Sequence, residues 1–277
     1  MEDRIDRLAG LLHRFGLRAQ VLHGDVLSGT REFTQRQGVS QLHLLRLGSV
    51  CVAAPTGSEV RLCQPTAVFY PRSWPHRIAA VGGSAEVLSA AIDFGSGEEN
   101  PLLRSLPAMM CVPLSEMPGL EATLALLFAE ATSGRCGHST VMDRLTEVLF
   151  VQLLRFAIER EMIQGGVVAG LADPRLARAL TAMHDNPAQD WTLASLAARA
   201  GMSRSRFAAR FASIVGIPAM EYLMRWRIGI AQGLLRHGHP PKAVAQEVGY
   251  GRSSTFGRAF ANVVGLTPIA WMRSRKG

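Results

Sequence analysis

Leu196-Ala-Ala-Arg-Ala-Gly201-Met-Ser-Arg204-Ser-Arg-Phe207-Ala-Ala-Arg-Phe211-Ala-Ser-Ile-Val-Gly216 is rewritten further on as Val244-Ala-Gln-Glu-Val-Gly249-Tyr-Gly-Arg252-Ser-Ser-Thr-Phe256-Gly-Arg258-Ala-Phe260-Ala-Asn-Val-Val-Gly265. Gly201 and Gly249 are 48 positions apart, whereas Phe207/Phe256, Phe211/Phe260 and Gly216/Gly265 are each 49 apart. One residue has therefore been added inside the second turn. A tract that keeps its glycines, phenylalanines and spacing through a duplication is one supersecondary unit used twice. Each copy reads as two short helices reversed at a glycine. Its phenylalanines, four apart, fall on the face that packs the second helix onto its partner. Two helix-turn-helix units in tandem point to duplex DNA as the ligand.

Working outward, the segment around the repeat predicts seven helices, at about 173–185, 192–200, 204–215, 219–236, 241–248, 252–264 and 268–274. Asp173-Pro174 opens the first as N-cap and N1 proline, Thr192 and Ser203 are N-cap candidates, and Pro218 and Pro268 sit at helix starts. Gly201, Gly216, Gly249 and Gly265 follow helix ends. The charge has the same boundary. Residues 1–170 carry 15 Arg against 17 Asp/Glu, a net of −2, and residues 171–277 carry 15 Lys/Arg against 5 Asp/Glu, a net of +10. A field of that sign attracts a polyanion and is screened by salt, although a basic solvated surface would have the same composition. The cations are arginine except at Lys242 and Lys276, and arginine is the better bidentate donor to phosphate and guanine.

The rest of the chain reads differently. Residues 20–95 carry short apolar runs, among them Gln41–Leu47, Ser49–Ala54, Val60–Cys63, Ala67–Tyr70 and Glu86–Ile92. Turn material separates them at Pro55-Thr-Gly57-Ser, Pro71–Pro75 and Gly82-Gly83, a pattern that favours a sandwich or barrel. After Pro101 and Pro107 helical spacing takes over in Leu120–Ala131 and Ser139–Glu161. The second of these is apolar on more than one face, which suits packing against a domain and also against a partner. Gln164-Gly165-Gly166 is a natural breaker, so the domain boundary is placed at about 165–172. The start, Met1-Glu-Asp-Arg-Ile-Asp, is charged and lacks the apolar core of a secretory signal, and no apolar run approaches the ~20 residues of a membrane span. Four cysteines, Cys51, Cys63, Cys111 and Cys136, do not make a disulfide framework in a chain of 277 residues. A cytosolic, thiol-containing chain is expected.

The C-terminal residues resemble the DNA-binding domain of AraC/XylS-type transcription regulators. The likeness rests on Asp190-Trp-Thr-Leu-Ala-Ser-Leu-Ala, Gly201-Met-Ser-Arg-Ser-Arg-Phe and Pro218-Ala-Met-Glu-Tyr-Leu-Met-Arg-Trp-Arg. It continues through Ala245-Gln-Glu-Val-Gly-Tyr, Phe256-Gly-Arg-Ala-Phe and Gly265-Leu-Thr-Pro. Residues 10–165 are similar to the cupin-type sensor domain of a subset of that family, on Phe69-Tyr-Pro71-Arg-Ser-Trp-Pro-His76, Asn100–Pro107 and Arg144–Gln152. The resemblance implies an α+β chain of two domains. Residues 1–167 would be a cupin-like sensor and dimerisation domain, with a β-barrel at about 15–112 and accessory helices at about 118–163. Residues 171–277 would be an all-α domain of two helix-turn-helix units joined by a linker helix. It implies promoter DNA and RNA polymerase as partners, a homodimer, no membrane, and transcriptional activation under the control of a sensed signal.

In the first unit the DNA-contacting candidates are Arg204, Ser205, Arg206, Ala208 and Arg210, with Ala209 also facing outward. In the second they are Arg252, Ser253, Ser254 and Arg258, with Gly257 beside them. Arg258 matches a position where the family often carries a DNA-contacting arginine. Ala208, Ala209 and Gly257 offer only apolar or shape contacts, which leaves direct readout to a few arginines. Arg225, Arg227 and Arg236 on the linker helix read as phosphate contacts or structural pairs. In the sensor, Pro71–His76 fits the second cupin motif with Ser73 in place of glycine, and His43 with Gly48 fits part of the first. Two histidines fall short of a stable metal site, which His23 or a cysteine would have to complete. If the hairpin turned about Gly57, Cys51 and Cys63 would be cross-strand neighbours and a candidate redox bridge or ligand pair. No resident cofactor is expected, a small-molecule effector or a metal ion being left open. No nucleophile–base motif or phosphate-binding loop stands out, so no enzyme is expected. The alternatives are a cupin-type metal-dependent enzyme fused to a DNA-binding tail, a metal- or redox-sensing regulator using Cys51 and Cys63, and a constitutive architectural DNA binder.

Overall fold

A computed structural model describes residues 16–35, 39–94, 101–160 and 165–274, together with Leu8, Leu12 and Met162. Asn100, Gln164 and Lys276 lie outside the described residues. The contacts divide the chain into two compact units.

One unit comprises Leu17–Glu98 and Leu106–Met162. It is built on seven strands: β1 (Arg18–Phe33), β2 (Val39–Leu47), β3 (Val50–Ala53), β4 (Glu59–Leu62), β5 (Thr66–Tyr70), β6 (His76–Asp93) and β7 (Met110–Pro113). They form one sheet in the order β4-β3-β6-β2-β5-β7, with β1 on β6. The long strand β6 is the spine. β1 pairs along it, while β3 takes its first part (Ile78–Ala80) and β2 its second (Glu86–Asp93). The sheet curls around Leu27, Phe33, Leu45, Val52, Val68, Tyr70 and Ile78, but among the described residues no pairing closes β4 onto β7. The expected cupin-like barrel is thus present as a half-barrel, a curled sheet open between β4 and β7. Two helices, α2 (Glu121–Ala131) and α3 (His138–Glu159), lie close to the expected positions. Phe150 of α3 packs against Phe69 of β5 (4.8 Å) and Phe94 just after β6 (5.4 Å). Asp143 and Glu147 accept the Val21 and Ala19 amides of β1, at 2.8 and 3.2 Å. These bonds occupy donors that an edge strand would otherwise present to another chain.

Two expectations for this unit are corrected. Gly82-Gly83 does not separate two strands. It lies within β6, where the register against β1 slips, Ala79 facing Thr30 and Ser84 facing Ser28. The Cys51–Cys63 pairing also fails. The register sets Val50 against Leu62 and Cys51 against Arg61, so the hairpin turns about Thr56. Its loop is Pro55-Thr56-Gly57, closed by the Ala54 amide on the Ser58 carbonyl (2.8 Å), with Gly57 at φ 87°. In a three-residue hairpin the left-handed residue comes last in the loop, so the glycine is not its centre. Cys51 and Cys63 are two residues out of register, and all four cysteines are free thiols.

The other unit comprises Met1–Gly16, Glu99–Ser105 and Ile163–Gly277. Its helices are α1 (Pro101–Ser105), α4 (Gly166–Ala172), α5 (Pro174–Asp185), α6 (Leu193–Arg199), α7 (Arg204–Val215), α8 (Ala219–Arg236), α9 (Pro241–Glu247), α10 (Ser253–Val264) and α11 (Pro268–Arg273). The last seven match the expected set to within about a residue at each end. Helix α4 was not expected: it occupies the stretch read as a breaker and domain boundary. Val167, Val168 and Leu171 are at most 1% exposed, so the segment Gly-Val-Val-Ala-Gly-Leu-Ala has an apolar side to bury. No helix among the described residues is long and apolar enough to cross a membrane.

The centre of this unit is aromatic. His184 is fully buried, stacks at 4.1 Å on Trp226 and meets the Tyr222 hydroxyl through Nε2 at 2.6 Å. Burial pulls its pKa from the ordinary 6.5 down to about 3. Between those values the unfolded chain binds a proton that the folded chain refuses, so the stability contribution is complete above pH ~6.5 and is lost as pH falls toward 3. Urea midpoints of the wild type should therefore fall through this window, with His184 adding at most about 1.4 kcal/mol per pH unit. His184→Gln should flatten the dependence. An equal slope in the variant would assign the acid lability to other groups.

Candidate nucleic-acid interface and sensor core

The first helix pair begins at Thr192, whose side chain caps Ser195 while Ser195 bonds back to the Thr192 amide. This reciprocal pair fixes the start of α6. The turn passes through Gly201 at φ 63° into α7, where Phe207 and Phe211 are fully buried and Val215 nearly so. Phe207 and Phe211 are 5.6 Å apart, and Phe211 stands 5.8 Å from Tyr222 of α8. That core turns Arg204, Ser205, Arg206, Ala209, Arg210 and Ser213 to solvent and leaves Ala208 half-buried. The second pair repeats the construction. Phe256 and Phe260 of α10 meet at 5.7 Å, and Phe260 contacts Trp271 of α11 at 5.8 Å. Arg252, Ser253, Ser254, Thr255, Arg258 and Asn262 are exposed, and Gly257 is half-buried. Thr255 and Asn262 were missed in the sequence. They lie three before and four after Arg258, on the same face by helical spacing, which was the available signal.

The structure separates the arginines. The side chains of Arg204, Arg206, Arg252 and Arg258 make no ion pair or hydrogen bond among the described residues. Arg210 is engaged: its guanidinium pairs with Asp173 at 2.5 Å (Nη2) and 2.7 Å (Nε). Asp173 in turn caps α5 by accepting the Arg175 and Leu176 amides, at 2.9 and 3.0 Å. Burial would raise the Asp173 carboxyl, but the Leu176 amide, Arg210 and the Arg175 amide outweigh it and hold the pKa below 3.8. Arg210 thus joins α7 to the start of α5, and its guanidinium is withdrawn from the unpaired set.

The linker arginines make intramolecular contacts. Arg225 pairs with Glu221 at 2.7 Å and Arg236 lies over Trp271 at 5.8 Å. Arg227 does more. Its Nε donates to the Pro187 carbonyl (2.7 Å), its Nη2 to the Gln189 carbonyl (2.8 Å), and its guanidinium sits 5.6 Å from the Tyr250 ring. Beside it, the Gly249 backbone packs so closely on the same loop that a Cβ there would lie 2.7 Å from Ala188 Cα. Loop 186–189 before the first pair, the linker helix and the turn of the second pair therefore meet in one junction, which fixes the two pairs with respect to each other.

In the strand unit, His43 and His76 do come together. His43 faces Ser89 across β2 and β6, and Phe33 faces His76 across β1 and β6. Nδ1 of His76 lies 2.7 Å from the Trp74 carbonyl, which can only accept, so that nitrogen carries the proton. In the neutral ring Nε2 is then bare and accepts a hydrogen bond from the Nε2–H of His43 at 2.8 Å. His43 Nδ1, bare in turn, accepts the Ser89 hydroxyl at 2.9 Å. Burial lowers both pKa values; for His43 the nearby His76 and His23 add to it, and for His76 the bond to Trp74 opposes it. Phe33 and Tyr70 each stack on His76, at 5.1 and 4.0 Å. A metal does not fit. Among the described residues no group of three or more His, Cys, Asp or Glu could hold one. The imidazole nitrogens are committed to one another and to Ser89 and Trp74, partners that only the strand register reveals.

The sequence model of the cupin family matches residues 6–159, and that of a helix-turn-helix domain matches residues 196–274. A putative AraC-like transcription regulator of Streptomyces antibioticus is 38% identical over 195 residues, covering 69% of this chain and 64% of the relative. The chain thus spans a little under two thirds of that relative's length. The RCS-specific HTH-type transcriptional activator RclR of Escherichia coli is 27% identical, with 83% of each chain covered. The HTH-type transcriptional regulator MtrA of Neisseria gonorrhoeae is 26% identical, with 96% of each covered.

Proposed function

The chain belongs to the AraC-like regulators that carry a cupin domain ahead of a doubled helix-turn-helix, and from that premise we propose that it is a transcription regulator that reads two successive major grooves of promoter DNA. The observation that carries the reading is the pair of helices α7 and α10. Each is seated on a buried Phe-x-x-x-Phe pair and presents to solvent, within it or at its start, arginine side chains (Arg204 and Arg206, Arg252 and Arg258) with no partner among the described residues. Their N-terminal and outward positions are suited to base edges, where Arg204, Arg206, Arg252 and Arg258 would reach guanine or phosphate. Ser205, Ser253, Ser254, Thr255 and Asn262 would add adaptable hydrogen bonds, and Ala208, Ala209 and Gly257 shape. Arg210, held by Asp173, positions its helix.

Residues 1–167 would be the sensor and residues 171–277 the reader. A homodimer formed through α2 and α3 fits the exposed apolar side chains of Leu126, Val141 and Val148. Activation would follow from contact with RNA polymerase at the promoter. The relatives are named as regulators. The test is fluorescence anisotropy of the full chain on a random-sequence duplex across a salt series. Binding should weaken steeply with salt, as counterion release requires. Binding indifferent to salt, or none at low salt, would contradict the proposal.

A further inference from the structure

A cavity of about 400 Å³ lies within the helical unit, on one face of α8. Tyr222, Arg225, Gly229 and Gln232 line it from that helix, and their spacing of three, four and three residues puts them on one side. Apolar walls come from Val167, Val215, Ile217 and Val263. The volume falls in the lower part of the range of roughly 300–1,000 Å³ that small-molecule sites occupy.

Three features point to a ligand. Gln232 is only 5% exposed, lines the cavity, and its amide makes no hydrogen bond among the described residues. The residue is buried but its amide lines the cavity, where a bound group can take its hydrogen bonds. Gly229 is buried at the middle of the 18-residue helix, where glycine is the least favourable residue after proline. It lines the cavity between Arg225 and Gln232. Arg225 uses Nε and Nη2 on Glu221 and leaves Nη1 without a bond among the described residues. That half-exposed i,i+4 pair is weak enough for a second anion to share the guanidinium.

We propose that this cavity binds an elongated small amphipathic carboxylate, its acid group at Arg225, its apolar body across Gly229 and a hydrogen-bonding group at Gln232. Seven residues of helix separate the two polar ends, about 10 Å along the axis, which sets the length of the ligand. Val215–Ile217 close the first reading helix and Val263 lies near the end of the second, so the occupant touches the C-terminal ends of both. Its effect on DNA affinity rests on the DNA reading above; its binding does not.

The probe is 4-hydroxycinnamate, titrated calorimetrically into the full chain, with cinnamate lacking the phenol and 4-hydroxycinnamyl alcohol lacking the acid. Saturable binding of one equivalent is expected, weakened about tenfold for each control. Gln232→Leu should bind 4-hydroxycinnamate about tenfold more weakly and cinnamate as the wild type does. Gly229→Leu, which puts a side chain on the cavity wall, should abolish binding, with the helical content of the variant checked by circular dichroism. Absence of saturable binding of all three compounds at millimolar concentration, or binding unaffected by both variants, overturns the proposal. The same samples are tested on random duplex DNA. Duplex binding without ligand binding removes the cavity alone, and ligand binding without duplex binding removes the DNA reading alone.

Discussion

Gly249→Val is expected to destabilise the helical unit by about 2–5 kcal/mol and to abolish DNA binding by both helix pairs together. Two costs combine. Gly249 sits at φ 88°, a left-handed conformation that costs an L-residue about 1–2 kcal/mol and a β-branched one more. A Cβ would also lie 2.7 Å from Ala188 Cα and 2.8 Å from its carbonyl oxygen. Those are backbone atoms, so the loop must move, and overpacking of this kind adds about 1–3 kcal/mol. The same loop supplies the carbonyls held by Arg227. The damage therefore spreads from the second pair to the first. Gly201→Ala is the control. Gly201 has φ 63° but nothing within 4 Å of its would-be Cβ, so only the backbone cost, about 1 kcal/mol, should appear. Urea unfolding and duplex binding of the two variants measure the contrast. Equal losses would contradict the junction.

The fourfold substitution of Arg204, Arg206, Arg252 and Arg258 by alanine should lower duplex affinity at least about 100-fold at physiological salt and leave folding stability nearly unchanged. All four side chains are exposed and form no ion pair among the described residues, so no intramolecular bond is lost. If each meets a phosphate, the slope of log K against log salt should flatten by about 3–4. A smaller change with altered sequence preference would move some of them to guanine edges. Arg210→Ala should behave in the opposite way. It leaves Asp173, 6% exposed, without its cation, and should cost about 1 kcal/mol of stability while the salt slope stays at the wild-type value. Anisotropy across salt, paired with urea unfolding, separates the two classes.

The helical unit was legible because its rules are local. Proline starts, Thr192 as a cap, glycine ends and the Phe207/Phe211 and Phe256/Phe260 spacing each act within a few residues, and together they placed seven helices. Helix α4 was missed because Gly165-Gly166 reads as a breaker, while the burial of Val167, Val168 and Leu171 that stabilises it is tertiary. Non-local facts were hidden. Nothing in the sequence near Arg210 announces Asp173, which is 37 positions away, and Arg227 resembled any exposed arginine until its carbonyl partners were placed. In the sheet, the alternating runs gave the strands but not their register. A hairpin turning about Thr56 instead of Gly57 was enough to separate Cys51 from Cys63. His43 and His76 were found as a pair, but their partners Ser89, Trp74, Phe33 and Tyr70 depend on how β6 threads between β1 and β2.

The most direct measurement of the central claim is selection of the full chain on a random duplex library, followed by hydroxyl-radical footprinting of the enriched DNA. Two protected blocks are expected, centred about one helical turn, 10–10.5 base pairs, apart on one face of the duplex. Arg204→Ala with Arg206→Ala should erase one block and Arg252→Ala with Arg258→Ala the other. Failure to enrich any sequence, or a single block that survives both pairs of substitutions, would contradict a protein that reads two adjacent grooves with α7 and α10.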